Sequence, residues 1–171
     1  VRVVSVLREC IDAVGRAQAA TRVQLEAAKA LRESYLRQVF PKTGKAIPDG
    51  GRWVRLGDVC QIVIGRTPRR NVPEYWNGQL PWVSIADING DVLLRTKERI
   101  TQLGVKASHC RQLKAGTLLF SFKLSIGKMA IAGMDLYTNE AIAGLIPKDD
   151  GSLDIQFLKH ALKMIDVMAG S

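Results

Sequence analysis

The sequence predicts an α+β protein, in which a long N-terminal coiled-coil helix precedes a mixed, strand-rich domain that closes on a short C-terminal helix. Three observations carry this. Residues 1–40 contain no Pro and a single Gly, Gly15. Pro41, Gly44, Pro48, Gly50 and Gly51 then fall within eleven residues. Beyond them, apolar residues come in short runs of strand length bounded by turn residues.

The first segment is rich in Ala, Leu, Arg, Glu and Gln, all good helix formers. With Val4 as the first core position of a seven-residue repeat, the seam reads Val4, Leu7, Ile11, Val14, Leu25, Ala28, Tyr35 and Val39, interrupted near its middle by Gln18 and Thr21. Such a seam asks for a partner helix. At about 1.5 Å per residue this segment reaches roughly 60 Å, well past the diameter of a small domain. The alternative is a surface helix lying on its own domain; length and seam together favour the coiled coil. Pro41 stops the helix, residues 41–52 read as a hinge, and residues 53–171 form the second domain. Its strand candidates are Trp53–Leu56, Val59–Ile64, Trp82–Ile85, Val92–Leu94, Thr117–Phe122 and Met129–Ile131. A closing helix over Ile155–Met168 places Ile155, Leu158, Leu162 and Ile165 on one face and Lys159 and Lys163 on another.

The 171 residues carry 25 Lys and Arg against 16 Asp and Glu, a net charge of +9. This favours a polyanionic partner, nucleic acid or an acidic membrane surface. Seven bases and four acids lie in residues 1–40, eighteen and twelve in the rest, so the excess is no single basic tail. No apolar run is long enough to span a membrane. Cys10, Cys60 and Cys110 lie fifty residues apart with no C-x-x-C spacing, which argues against a disulfide framework or a zinc site and fits a reducing cytoplasm. The chain starts on Val, with no secretory signal, and is expected to be a cut or processed piece.

Catalytic signatures are missing. There is no G-x-G-x-x-G, G-x-x-x-x-G-K-[ST] or H-E-x-x-H. His109–Cys110 are adjacent, so their side chains diverge on most backbones, and a solvated His beside a buried Cys is the plainer reading. Asp149–Asp150 sit beside Gly151 as a loop tip, and the Asn-Pro-Pro-aromatic motif of amino-methyltransferases does not occur. No catalytic residue, metal or cofactor is expected.

Three loops are candidates for DNA contact. In Gly65–Asn71 a turn shaped by Gly65 and Pro68 presents Arg66, Arg69 and Arg70 beside Thr67 and Asn71, and guanidiniums suit both phosphates and the guanine edge. A solvated basic loop is the alternative. Around a strand-to-strand turn, Lys123, Ser125 and Lys128 offer ammonium and hydroxyl groups for phosphates. Ser84, Asp87 and Asn89 have donors and acceptors for base edges, yet local turn chemistry explains the same residues equally well. Trp76 and Trp82 flank an Asn-Gly turn; a packed core or lid explains them better than stacking on bases.

The order of motifs resembles type I restriction-modification specificity subunits. The matching stretches are Ile47-Pro48 with Trp53–Asp58, Gly65-Arg-Thr-Pro68, Tyr75-Trp-Asn-Gly78 with Leu80-Pro-Trp-Val83, Ile100–Gly104, Leu113–Ser121, Ile126–Ile131 and Thr138-Asn-Glu-Ala-Ile142. The close of the first helix, Leu31-x-x-Ser-Tyr-Leu-Arg-Gln-Val-Phe40, is similar to the family's spacer helix. The resemblance implies a modular subunit with two target recognition domains held apart by two antiparallel helices, each domain reading half of an interrupted site in double-stranded DNA. It implies as partners modification subunits, which carry an S-adenosylmethionine-dependent adenine methyltransferase, and restriction subunits, which translocate and cleave DNA. The specificity subunit catalyses neither reaction. Glu140 stands where the family usually has Gln, and Lys123-Leu124 where Arg-Gly is frequent, so the resemblance does not carry the family's contacts over to those positions.

One helix and one domain make half of such a reader. The unpaired seam is expected to form an antiparallel homodimer, placing identical domains at both ends. The competing class is a helical assembly or adaptor module that docks partner subunits and binds little DNA itself.

Overall fold

The computed structural model describes residues 2–40, 51–148 and 153–164. The chain divides into two compact units, Val1–Asp49 and Gly50–Ser171. Residues 41–50 of the expected hinge and the end of the expected closing helix beyond Met164 lie outside the described residues.

The described residues of the first unit form one helix, α1 (Arg2–Val39). It has no Pro to interrupt the backbone hydrogen bonds, and the Thr21 hydroxyl, which breaks the apolar seam, donates back to the Ala17 carbonyl at 2.9 Å. The seam is uncovered: Val4, Leu7, Ile11, Val14, Leu25 and Tyr35 are each 53–69% exposed, and Ala28 is exposed too. The side chain of Val39 lies outside the described residues.

The second unit is built on two sheets. Its elements are α2 (Leu56–Val59), β1 (Cys60–Ile64), β2 (Trp76–Val83), β3 (Val92–Leu93), β4 (Glu98–Ile100), α3 (Gln102–Ser108), β5 (Leu118–Ser121), β6 (Met129–Ala132), β7 (Tyr137–Thr138), β8 (Ile142–Pro147) and α4 (Ile155–Met164). One sheet has the order β1-β8-β5-β6-β3 and the other β4-β2-β7. All pairings are antiparallel except β2 with β7 and β3 with β6.

Strand alternation divides the core. Along β5, Leu118 and Phe120 face one way and Leu119 the other; along β6, Met129 and Ile131 oppose Ala130 and Ala132. Leu119, Ala130, Ala132, Val63 and Ile142 pack with Val83 of β2 and with Leu113 and Leu136. On the opposite face Leu118, Phe120, Met129, Ile131 and Leu145 receive Leu158, Leu162 and Ile155 of α4. Because β5 is covered on both faces, every residue in it is buried and the run Leu-Leu-Phe-Ser shows no polar alternation.

Three local expectations change. Trp53–Leu56 is not a strand; residues 51–55 have no regular structure, Trp53 and Val54 are about half exposed, and Leu56 opens α2. The strand expected at Trp82–Ile85 begins earlier, at Trp76, and ends at Val83, where Ser84 turns the chain into a short 3-10 helix. Lys159, placed on a polar face by helical spacing, is only 2% exposed, and its ammonium donates to Asp91 Oδ1 at 2.6 Å and to the Asp91 carbonyl at 3.3 Å.

Candidate nucleic-acid interface

Strand register brings the candidate loops to one end of the sheets. Ile64, the last residue of β1, pairs with Ala143 near the start of β8, and Ser121, the last of β5, pairs with Ile142. Val83, the last of β2, pairs with Thr138, the last of β7. Backbone bonds tie these ends to residues 138–142: Gly65 N donates to Ile142 O, Arg66 N to Thr138 O, Phe122 N to Ala141 O and Asn139 N to Val83 O. The loops after β1, β2 and β5 therefore leave from a common rim.

The arginine loop is held by the two tryptophans. Trp82 Nε1 donates to the Arg66 carbonyl and Trp76 Nε1 to the Arg69 carbonyl, both at 3.1 Å. The rings meet edge to face at 5.1 Å, and Trp82 is buried, in keeping with a packing role. Arg66 and Arg69, whose carbonyls are turned to the indoles, line a groove of about 860 Å3 together with Thr67, Tyr75, Ser108, His109 and Glu140. Arg70 goes elsewhere. Its guanidinium lies 3.9 Å from the centre of the Trp76 ring and 4.9 Å from that of Trp82, and it bonds both carboxylate oxygens of Glu98. Asn71 is exposed.

Glu140 sits among cations. It accepts a hydrogen bond from the Thr67 hydroxyl. That bond and one from its own backbone N–H, with smaller help from Lys123 and Arg70, hold its carboxyl below the usual carboxylate range. The backbone bond from Phe122 N to Ala141 O at 3.0 Å, between the neighbours of Lys123 and Glu140, links the second basic element to the first. In that element, residues 123–128 are all exposed, and the Ser121 hydroxyl closes the turn by donating to Ser125 O at 2.6 Å and accepting from Lys128 N at 3.0 Å. Ser125 takes φ 50° and Gly127 φ 88°, so the turn uses two left-handed positions. Arg66, Arg69, Lys123 and Lys128 make no ion pair with any described residue.

The Ser84 segment is committed differently. Asp87 Oδ2 accepts from both Ser84 N and Ser84 Oγ at 2.9 Å, and Asp87 Oδ1 accepts from Lys97 N at 3.2 Å. Asn89 Nδ2 donates to Ala86 O. The bonds to Ser84 and Ala86 form the turn, and the one from Lys97 ties it to the chain ahead of β4. Asp87 and Asn89 line a separate cleft of about 630 Å3 with Val92, Leu94, Arg95 and Lys97. The structure thus brings Arg66, Thr67 and Arg69 together, with Lys123 near them, and leaves Asp87 and Asn89 apart.

Tyr75, Ser108, His109 and Glu140 enter the groove without being legible as a group, because they come from three separated segments. One local signal existed: Thr101 followed by Gly104 is a helix start, and the Thr101 hydroxyl accepts from Gly104 N at 3.1 Å to cap α3, whose C-cap is His109 at φ 50°. Among the described residues no group of three or more His, Cys, Asp or Glu could hold a metal ion, and no helix is long and apolar enough to cross a membrane.

The chain is similar to several known proteins. Residues 48–170 match the profile of the type I restriction modification DNA specificity domain. A type I restriction enzyme specificity subunit, MjaIX of Methanocaldococcus jannaschii, is 33% identical over 98 residues, which cover 56% of this chain and 23% of the relative. The HindI specificity subunit of Haemophilus influenzae is 24% identical over 113 residues, 66% of this chain and 25% of the relative. The chain thus spans about a quarter of the length of these curated relatives. Among solved structures, an HsdS subunit from Thermoanaerobacter tengcongensis superposes with a TM-score of 0.64 at 28% identity, over 87% of this chain and 37% of that one. With the profile matched over most of the chain, and a solved relative that covers the helix-plus-sheet order, this chain belongs to the type I restriction modification DNA specificity domain family.

Proposed function

We propose that this chain reads double-stranded DNA as a target recognition domain of a type I restriction-modification specificity subunit, directs modification and restriction subunits to that site, and catalyses neither step. The observation that carries the reading is the set of exposed cations with no ion pair to any described residue, Arg66 and Arg69 in the groove and Lys123 and Lys128 on the neighbouring turn, on a rim where three loops meet. Phosphate contacts of this kind release counterions, so affinity falls steeply with salt.

Arg69→Ala is expected to weaken binding to a random-sequence duplex and to lower the slope of log affinity against log salt by about 0.9, one phosphate contact. Fluorescence anisotropy across a salt series measures it. An unchanged affinity and slope for both Arg69→Ala and Lys123→Ala would remove the rim as the DNA face.

The exposed seam of α1 supports a second part of the reading, an antiparallel homodimer of the chain that sets two identical domains on an inverted, interrupted site. Ile11→Asp with Leu25→Asp should halve the mass seen by light scattering, to that of one 18.8 kDa chain. A wild-type chain that is already monomeric at high concentration sinks the dimer and leaves the seam to the helices of partner subunits.

A further inference from the structure

We propose that Arg70 is a positioning residue of the interface and not one of its DNA contacts: with Trp76, Trp82 and Glu98 it locks the loop so that Arg66 and Arg69 face the groove. The inference rests on the duplex-binding reading above and assigns roles within that site.

Three features support it. The guanidinium is engaged on two sides, over both indole rings and along the carboxylate of Glu98. A two-point bond to one carboxylate, made while the same group lies over an indole, is a geometry that Arg makes and Lys does not. The same indoles bond the carbonyls of Arg66 and Arg69, so the group that holds the rings also holds the residues on either side of Thr67 and Pro68. Finally, Arg66, Thr67 and Arg69 line the groove and Arg70 does not. Glu98 belongs to β4, which pairs with β2, the strand that carries both tryptophans, so the lock is anchored in one sheet. A loop of three arginines would otherwise splay by mutual repulsion; tying one inward fixes the direction of the other two.

Charge alone makes opposite predictions, which the full-length chain can decide in anisotropy titrations against a random-sequence duplex over a salt series. Arg70→Lys keeps the charge but loses the stacking and the fork; it is expected to weaken binding about ten-fold, on the scale of one charge-assisted hydrogen bond. Glu98→Gln removes a negative charge from the DNA-binding side and is nevertheless expected to weaken binding, because it releases Arg70. Trp76→Phe, which keeps a ring and removes the bond to the Arg69 carbonyl, should weaken binding with no change of charge. In all three the salt slope should stay within about half a unit of wild type, whereas Arg69→Ala loses about 0.9. Far-UV circular dichroism and urea unfolding of the free proteins check that each variant is folded. If Arg70→Lys binds like wild type, or Glu98→Gln binds more tightly, the positioning role is overturned while DNA binding stands. A wild-type chain that binds no duplex overturns the DNA reading, and this inference with it.

Discussion

Gly65→Ala is expected to lower the stability of the second unit by about 3 kcal/mol, the upper part of the range for an overpacked site, and to abolish duplex binding. A Cβ on Gly65 would stand 2.2 Å from Thr138 Oγ1 and 2.3 Å from the carbonyl oxygens of Thr138 and Asn139. Two of these three atoms are backbone, so no rotamer change relieves the collision. The strand end must move, and with it go the bonds from Gly65 N to Ile142 O at 3.1 Å and from Arg66 N to Thr138 O at 2.8 Å. Those are the bonds that bring the arginine loop to the rim, so binding should fail even in the fraction that stays folded. Urea unfolding measures the first effect and anisotropy the second. A loss under about 1 kcal/mol would mean that the approach of β1 to residues 138–139 is looser than the distances indicate.

Asp91→Ala is expected to cost about 3 kcal/mol, and adding Lys159→Met should recover most of it. Removing the carboxylate leaves a buried ammonium, 2% exposed, with the Asp91 carbonyl at 3.3 Å as its remaining partner at that residue. Breaking a buried pair from one side costs about 3–5 kcal/mol. The lower end applies because Asp91 itself is 65% exposed and its charge is screened by water. A methionine fills the space of the lysine stem and needs no counter-charge, so the double variant should approach wild type. If Asp91→Ala and the double variant unfold at the same urea concentration, the cost lies in the chain just ahead of β3 and not in the ion pair.

Much of this architecture was legible in the sequence, and what escaped did so for definable reasons. The helix was plain because forty residues without Pro and with one Gly leave little else. The tryptophans could be assigned to packing because Trp82 opened an apolar run and few other large side chains were available. Helical spacing assigns Lys159 to a polar face because it does not reveal a carboxylate supplied by residue 91, sixty-eight positions away in the chain. Strand β8 is not legible in the sequence because Ile142–Pro147 contains Gly144 and ends in Pro, although pairing on both sides overrides that weak propensity. For the loops, composition located the cations but not their directions. Arg66, Arg69 and Arg70 look equivalent in sequence, and only the indole bonds and Glu98 separate the third from the first two. Asp87 and Asn89 admitted two readings on their residue types; their bonds within the turn favour the local one.

The turn between β5 and β6 has a bearing on how such a domain changes. Residues 123–128 are exposed throughout, and the closure that holds them is made by Ser121, which is buried and belongs to the strand below. The backbone sets two limits, because Gly127 at φ 88° and Ser125 at φ 50° hold left-handed conformations that most side chains strain. At the other exposed positions, such as Lys123, Leu124 and Lys128, substitutions are close to neutral for folding, so that surface can change its chemistry while the strands that carry it stay as they are. If the turn contacts DNA as proposed, selection on that contact at Lys123, Leu124 and Lys128 meets little interference from selection for stability.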